Sequence, residues 1–198
     1  MNHGKVLVFG SGISGISAVH LLENKGKAVI LYDGNTSLDI EHLKAQLGAD
    51  SMAEIILGDL QEDIMDTLEL VVMSPGVPTD ISVVNQMREK GIPIWGEIEL
   101  AYTYGQGDVL AITGTNGKTT TTALLGEIMS HYRKSVFVVG NIGNPYTTAV
   151  EDMTQDSVSV AEVSSFQLDT IHDFRPRVSA ILNITPDHLN RHHTMECY

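Results

Sequence analysis

A chain of 198 residues, 42% of them hydrophobic, has room for one large or two small packed domains. Twelve basic residues against twenty-five acidic ones give a formal charge of −13, the wrong sign for sequence-independent attraction to nucleic acid or to an anionic membrane, so neither partner is expected. The apolar run after Lys5 is too short for a signal peptide or a membrane span. The lone Cys197 has no partner for an internal disulfide or a thiolate metal site, which fits a cytoplasmic protein.

Taken in order, Lys5-Val6-Leu7-Val8-Phe9 predicts a buried strand. Gly10-Ser11-Gly12-Ile13-Ser14-Gly15 then turns it into a helix whose apolar face carries Ile16, Val19, His20 and Leu21 or Leu22. This is a G-x-G-x-x-G at a strand-to-helix junction. The next strand, over 28–32, runs into Asp33, about where an acidic residue would meet a ribose or sugar hydroxyl. Three readings stay open on these residues: a dinucleotide cofactor, another nucleotide-like ligand, or a structural glycine turn. Strands over 55–57 and 70–73 follow, the second entering Ser74-Pro75-Gly76-Val77-Pro78, whose prolines forbid a continuing central strand. Ligands collect at that edge of an open parallel sheet, so Ser74 and the backbone around Gly76 either contact one or form a rigid turn. A helix over 81–90, a short strand over 93–95 and a helix over 97–104 complete this half. The expected domains are 1–95 and 96–198.

The alternation restarts after Gly105-Gln106-Gly107. Val109-Leu110-Ala111-Ile112 predicts a strand, Gly114-Thr115-Asn116-Gly117-Lys118-Thr119-Thr120 a phosphate-cradling loop, and a helix runs from there to about 131. Loop amides and the positive end of the helix suit polyphosphate oxygens, Lys118 adds a full charge, and Thr119 offers Mg²⁺ a hydroxyl. The common P-loop has its first glycine where Ile112 stands, so this is a shorter loop of the same physics. An ordinary glycine turn is the alternative. Strands over 135–139, 158–162 and 178–183 lead into Gly140-Asn141-Ile142-Gly143, Val163-Ser164-Ser165-Phe166-Gln167-Leu168 and Ile184-Thr185-Pro186-Asp187-His188-Leu189.

The expected class is α/β: a Rossmann-like parallel-sheet domain followed by an incomplete P-loop-type α/β domain. Lys118 with Thr119, Glu162 and His188 then stand at the ends of different strands along one rim, a metal-nucleotide site. Glu162 and Thr119 offer hard oxygens to Mg²⁺, and His188 a metal ligand or a hydrogen bond to a phosphoryl group. Taken singly, a carboxylate or histidine at a strand end is more often a solvated or helix-capping residue, and only the shared rim changes that reading. Ser164 and Ser165 lack a G-x-S-x-G setting, which argues against a hydrolase nucleophile.

The motifs from Gly114 to Thr120, Gly140 to Gly143, Glu162 to Leu168 and Asn183 to Leu189 together resemble the Mur ligases. The glycine turn from Gly10 and the Ser74-Pro75-Gly76-Val77-Pro78 segment extend the resemblance over essentially the whole chain. Within that family Asn116, Asn141-Ile142-Gly143 and Ser165-Phe166-Gln167 favour the branch that adds D-glutamate to UDP-N-acetylmuramoyl-L-alanine in peptidoglycan precursor synthesis, with ATP and Mg²⁺. The resemblance implies that Ser14, Asp33, Ser74 and Gly76 hold the uridine diphosphate. It places Asn141, Ser164, Gln167 and His188 toward the sugar-peptide end, Lys118 and the Gly114–Thr120 loop on the ATP phosphates, and Thr119, Glu162 and His188 around Mg²⁺. Some members carry Thr-Arg after the residue matching Asp33, where Gly34-Asn35 stands here, so a side-chain contact to the diphosphate is either missing or replaced by backbone N–H groups. The resemblance further implies that the chain stops inside its second domain, with Thr194 to Tyr198 opening another helix, and that it is an inactive portion of a ligase. An NAD-dependent oxidoreductase built on the first glycine motif, and a nucleotide-binding module without ligase activity, are the competing readings.

Overall fold

Runs of β-branched and aliphatic residues, most of them closed by a glycine or proline turn, set the strands of two parallel sheets. In this computed structural model, which describes residues 4–198, the first sheet holds β1 (Lys5–Phe9), β2 (Val29–Asp33), β3 (Glu54–Leu57), β4 (Leu68–Met73) and β5 (Ile94–Gly96). Their order is β3-β2-β1-β4-β5, and all neighbours are parallel. Helices α1 (Ile13–Asn24), α2 (Ile40–Leu47), α3 (Glu62–Met65) and α4 (Ser82–Glu89) lie in the crossovers. The direction of winding reverses between β1 and β4, so the turns that leave these two strands, 10–15 and 74–78, border the crevice where such sheets take ligands.

Helix α5 (Glu97–Tyr104) leads to the second sheet: β6 (Asp108–Thr113), β7 (Val136–Gly140), β8 (Val158–Glu162) and β9 (Val178–Ile181), ordered β7-β8-β6-β9 and again parallel. Helix α6 (Lys118–Ser130) follows β6. The short helices α7 (Tyr146–Ala149), α8 (Ser165–Leu168) and α9 (Leu189–His192) follow β7, β8 and β9. Both halves are therefore α/β with parallel sheets.

Alternation along β1 sends Val6 and Val8 to one face and Leu7 and Phe9 to the other, and both faces are covered. Leu7 and Phe9 pack with Ile30, Val71, Val84 and Met87. Val6 and Val8 belong to a core that continues through Leu22, Ile98 and Leu100 to Val109, Tyr146 and Ala161 of the second half. Each such side chain contributes about 1.5–3 kcal/mol, so the two sheets are joined by apolar burial as well as by chain. Glu99, fully buried on α5, fixes the segment after α8 by accepting the amides of His172 (2.8 Å), Asp173 (2.8 Å) and Phe174 (3.0 Å).

Two expectations need correction. His20 is exposed, its ring paired with the Leu47 carbonyl at 3.1 Å, while Ser17 takes the buried position by bonding Thr147. The last strand ends at Ile181, because the chain turns toward the glycine loop at Leu182 and Asn183. Thr194 to Tyr198 makes a single turn closed by the Tyr198 amide on the Thr194 carbonyl (3.1 Å), the i-to-i+4 bond with which the expected helix would open. Among the described residues no helix is long and apolar enough to cross a membrane.

Candidate functional site

The loop after β6 needs its glycines. At Gly114, with φ +132°, an added Cβ would lie 2.9 Å from the Asn183 carbonyl oxygen; Gly117, with φ +85°, is the N-cap of α6. Asn183 braces the loop. Its carboxamide accepts the Asn116 amide and donates to the Asn116 carbonyl, both at 2.9 Å, while its own carbonyl accepts the Thr115 amide at 3.0 Å. The Thr115 hydroxyl donates to the Thr185 carbonyl (3.1 Å) and lies 2.9 Å from the Tyr198 hydroxyl. Lys118 folds over the loop and donates to the carbonyls of Gly114 (2.7 Å) and Thr115 (3.1 Å). An ammonium has three N–H groups. One remains for an anion at the start of α6, where the helix dipole and free amides already favour one.

Beside this loop lies a cavity of about 400 Å³ lined by Gly114, Lys118, Asn141, Ser164, Ser165 and His188 among others. Glu162, at the end of β8, is 1% exposed. One of its oxygens accepts the Asn141 carboxamide N–H at 2.9 Å; the other is buried with no hydrogen-bond partner among the described residues. A buried carboxyl oxygen without a donor is costly to leave so, and a cation is one partner that would satisfy it. Thr119 is exposed on the first turn of α6. Mg²⁺ commonly takes one or two protein oxygens and completes its shell with water and phosphate, so this sparse donor set fits Mg²⁺ carried with a polyphosphate. Among the described residues no group of three or more His, Cys, Asp or Glu converges on a metal position. His188 holds a left-handed backbone (φ +50°) as the N-cap of α9, with its ring 4.9 Å from that of Phe166.

A second cleft, of about 670 Å³, opens between the turns after β1 and β4 and is lined by Gly12, Ser14, Asp33, Ser74, Gly76 and Asn141, among others. Its glycines divide by purpose. A Cβ on Gly15 would overlap the Gly10 carbonyl, and Gly10, at φ +103°, packs on Ser74, whereas Gly12 and Gly76 face open space. Asp33 is committed to the turn itself. Its carboxylate accepts the Ser11 hydroxyl (2.7 Å), the Ser11 amide (3.0 Å) and the Asn35 amide (3.0 Å). Burial pushes this carboxyl up, but those three donors outweigh it and hold Asp33 below its ordinary range. The Asn35 carboxamide accepts the Ser37 amide (3.0 Å), which leaves Gly34 lining the cleft there.

The structure thus gathers Lys118, Asn141, Ser164 and His188 around one cavity and Ser14, Asp33, Ser74 and Gly76 around the other, with Asn141 in both. Glu162, Thr119 and Thr120 are not among the residues lining either, and Gln167 is withdrawn. Gln167 is 3% exposed and forms a capping box on α8, its carboxamide oxygen taking the Ser164 amide (2.9 Å) while the Ser164 hydroxyl takes the Gln167 amide (3.3 Å). Sequence reasoning assigned no role to Asn183, Tyr198, the Ser165–His192 pair (2.9 Å) or Arg191. Asn183 had a readable signal, a carboxamide where the last strand leaves the sheet. The others depend on contacts between short helices that no period announces.

Two family descriptions match: the Mur ligase MurD-like N-terminal domain over residues 4–96 and the Mur ligase middle domain over residues 112–198. The chain belongs to the Mur ligase family. This Mur ligase chain is 60% identical over 193 residues to the UDP-N-acetylmuramoylalanine–D-glutamate ligase of Lachnospira eligens and 46% identical over 195 residues to that of Clostridioides difficile. Each match covers 98% of this chain and 43% of the relative, so the chain spans less than half the length of these relatives. Among solved structures it resembles the UDP-N-acetylmuramate:L-alanyl-gamma-D-glutamyl-meso-diaminopimelate ligase of Neisseria meningitides (TM-score 0.58, 16% identity, 95% of this chain and 63% of that one). It also resembles a murein peptide ligase of Psychrobacter arcticus (TM-score 0.53, 19% identity, 95% and 44%). Identities this low carry the fold alone.

Proposed function

We propose that this chain holds the UDP-substrate cleft and the ATP loop of an ATP-dependent ligase of peptidoglycan precursor synthesis, which joins D-glutamate to UDP-N-acetylmuramoyl-L-alanine. The observation that carries this reading is the position of Asn141, which lines both clefts. A substrate with its uridine diphosphate against the 10–15 and 74–78 turns would bring its other end, the carboxylate, past Asn141 to the glycine loop. The names of the relatives in Lachnospira eligens and Clostridioides difficile support the choice of substrates.

The chemistry follows from the electrophile. A carboxylate resists attack by an amine, and transfer of a phosphoryl group from ATP turns it into an acyl phosphate whose phosphate the amine of D-glutamate can displace. In this reading the loop amides, the start of α6 and the free N–H of Lys118 hold the transferring group and offset its charge. Glu162 fixes the Asn141 carboxamide, Gln167 fixes Ser164 through the capping box, and His188 faces the same space, so three polar groups orient the carboxylate. Glu162, Thr119 and His188 would hold Mg²⁺, which when bound neutralises charge on phosphate oxygens. Ser14, Ser74 and the open backbone at Gly12 and Gly76 take the diphosphate, with Asp33 bracing Ser11. A division at the end of β5, one residue beyond the expected 95–96, then gives one sheet to each ligand, and a reaction that draws on ATP belongs in the cytoplasm.

Calorimetric titration with UDP-N-acetylmuramoyl-L-alanine, ATP-Mg²⁺ and NADH separates this reading from an oxidoreductase and from a bare nucleotide-binding module. The expected result is saturable binding of the first two and none of NADH. A folded chain that takes NADH, or that ignores the uridine ligand, would sink it.

A further inference from the structure

We infer that Arg191 is a positioning residue that fixes the 74–78 turn of the first cleft from the second half of the chain. The identity of the cleft's ligand rests on the function proposed above; the positioning itself does not.

Arg191 lies on α9, three residues beyond His188, and crosses to the other sheet. One terminal nitrogen donates to the Pro75 carbonyl at 2.7 Å and the other to the Val77 carbonyl at 2.9 Å. Its carbon Cζ sits 3.9 Å from the centroid of the Phe166 ring. The opposing parts are themselves braced: His192 stacks on Phe166 (5.1 Å, 21° between planes) and pairs with the Ser165 hydroxyl. The guanidinium is therefore held by α8 and α9 and spends its fork on backbone of the first sheet.

The receiving turn needs such a brace. Pro75 and Pro78 have no amide to donate. Within the turn the Val77 amide meets the Ser74 carbonyl at 3.0 Å, and the Ser74 amide ties back to Phe9 at 2.9 Å. The carbonyls of Pro75 and Val77 flank Gly76, which lines the cleft with open space before it. Holding both carbonyls fixes the peptide planes on either side of Gly76. The guanidinium gives each carbonyl its own terminal nitrogen in a fixed plane, whereas an ammonium would have to serve both from one nitrogen. The brace comes from the same short helix that His188 caps, so the turn facing one cleft is set by the rim of the other.

Mere glue between the halves would make different demands. Its loss would lower stability and weaken both ligands alike, whereas a brace on the turn affects one ligand and one segment. The test uses Arg191→Met and Arg191→Lys in the whole chain, with calorimetry of UDP-N-acetylmuramoyl-L-alanine and of ATP-Mg²⁺, and hydrogen exchange at the hydrogen-bonded Ser74 and Val77 amides without ligand. Arg191→Met is expected to weaken the uridine ligand by about ten- to a hundredfold, in line with the loss of charged hydrogen bonds. It should leave ATP-Mg²⁺ within about twofold, the split expected when only one site's contacts change, and speed exchange at Ser74 and Val77. Arg191→Lys should recover only part of the uridine affinity. A folded Arg191→Met chain with parental exchange at Ser74 and Val77, or with equal loss for both ligands, overturns the inference. If the parent fails to bind the uridine ligand the functional reading falls, and exchange at the two amides still decides whether Arg191 sets the turn.

Discussion

Under the proposed function, Lys118 and Gly12 each serve one ligand and not the other, the first by its side chain and the second by the lack of one. Lys118 reaches only the glycine loop and its cavity, and Gly12 lies in the other cleft. Lys118→Ala should therefore cost ATP-Mg²⁺ binding about 1.5–3 kcal/mol while uridine-ligand binding is kept; paired titrations check this, and equal losses would refute separate sites. Gly12→Val should leave the fold intact, since its Cβ meets nothing and its backbone is extended, yet weaken the uridine ligand by filling the space that ligand needs. Gly15→Ala is the contrast: its Cβ overlaps the Gly10 carbonyl, so a stability loss of about 1–3 kcal/mol is expected in a thermal or denaturant melt. Three glycines of one motif are equivalent in the sequence, and only the packing around each tells a ligand-facing position from a close-packed one. The same holds for Asp33 and Gln167. Their places beside the two sites were readable, but that Asp33 braces Ser11 and Gln167 caps α8 depends on neighbours that spacing does not name.

Among the elements, the strands announced themselves by aliphatic runs, most of them buried and closed by a glycine or proline turn, and every one was legible to within two residues at each end. The short helices were not. Helices α3, α7, α8 and α9 have four residues each, too few to display a 3.6-residue period. Helix α2 was the missed opportunity, because Asp39 accepts the amides of Glu41 and His42 as an N-cap ahead of Leu43 and Leu47. For α8 the cap is also the means by which Ser164 is held at the cavity. Ser164→Ala should cost about 1 kcal/mol of stability through the lost cap, and Ser164→Asp, another good cap, should restore it. Only the ligand titration then separates the two roles: under the proposed function the aspartate, carrying charge toward a substrate carboxylate, binds the uridine substrate more weakly than the alanine does. Equal stability of Ser164→Ala and parent would show that the box contributes nothing.

Across the whole molecule, the two sheets share a polar chain as well as an apolar core. The Ser17 hydroxyl on α1 lies 2.6 Å from that of Thr147 on α7, and Thr147 donates to Glu97 of α5 through its amide (2.7 Å) and its hydroxyl (3.2 Å). Glu97 is 1% exposed, and its second oxygen has no partner among the described residues. Burial pushes its carboxyl up from the usual 4.5, against the Thr147 and Tyr146 donors, which favour the ionised form. The folded chain therefore keeps this proton to higher pH than the unfolded chain does. Between 4.5 and the raised folded value the native state binds more protons, so stability falls as pH rises through that window and levels off above it. Glu97→Gln keeps an oxygen for Thr147 and has nothing to ionise. Its melting temperature should gain on the parent's as pH is raised from about 4 to about 8, a span that starts in the ordinary carboxylate range. The difference between the two chains is the quantity to measure, because the excess of acidic side chains gives both the same background dependence. A difference that stays flat across that span would mean that the Glu97 proton does not report on the junction between the sheets; a rising one ties the joint that brings the two clefts together at Asn141 to a single buried carboxyl.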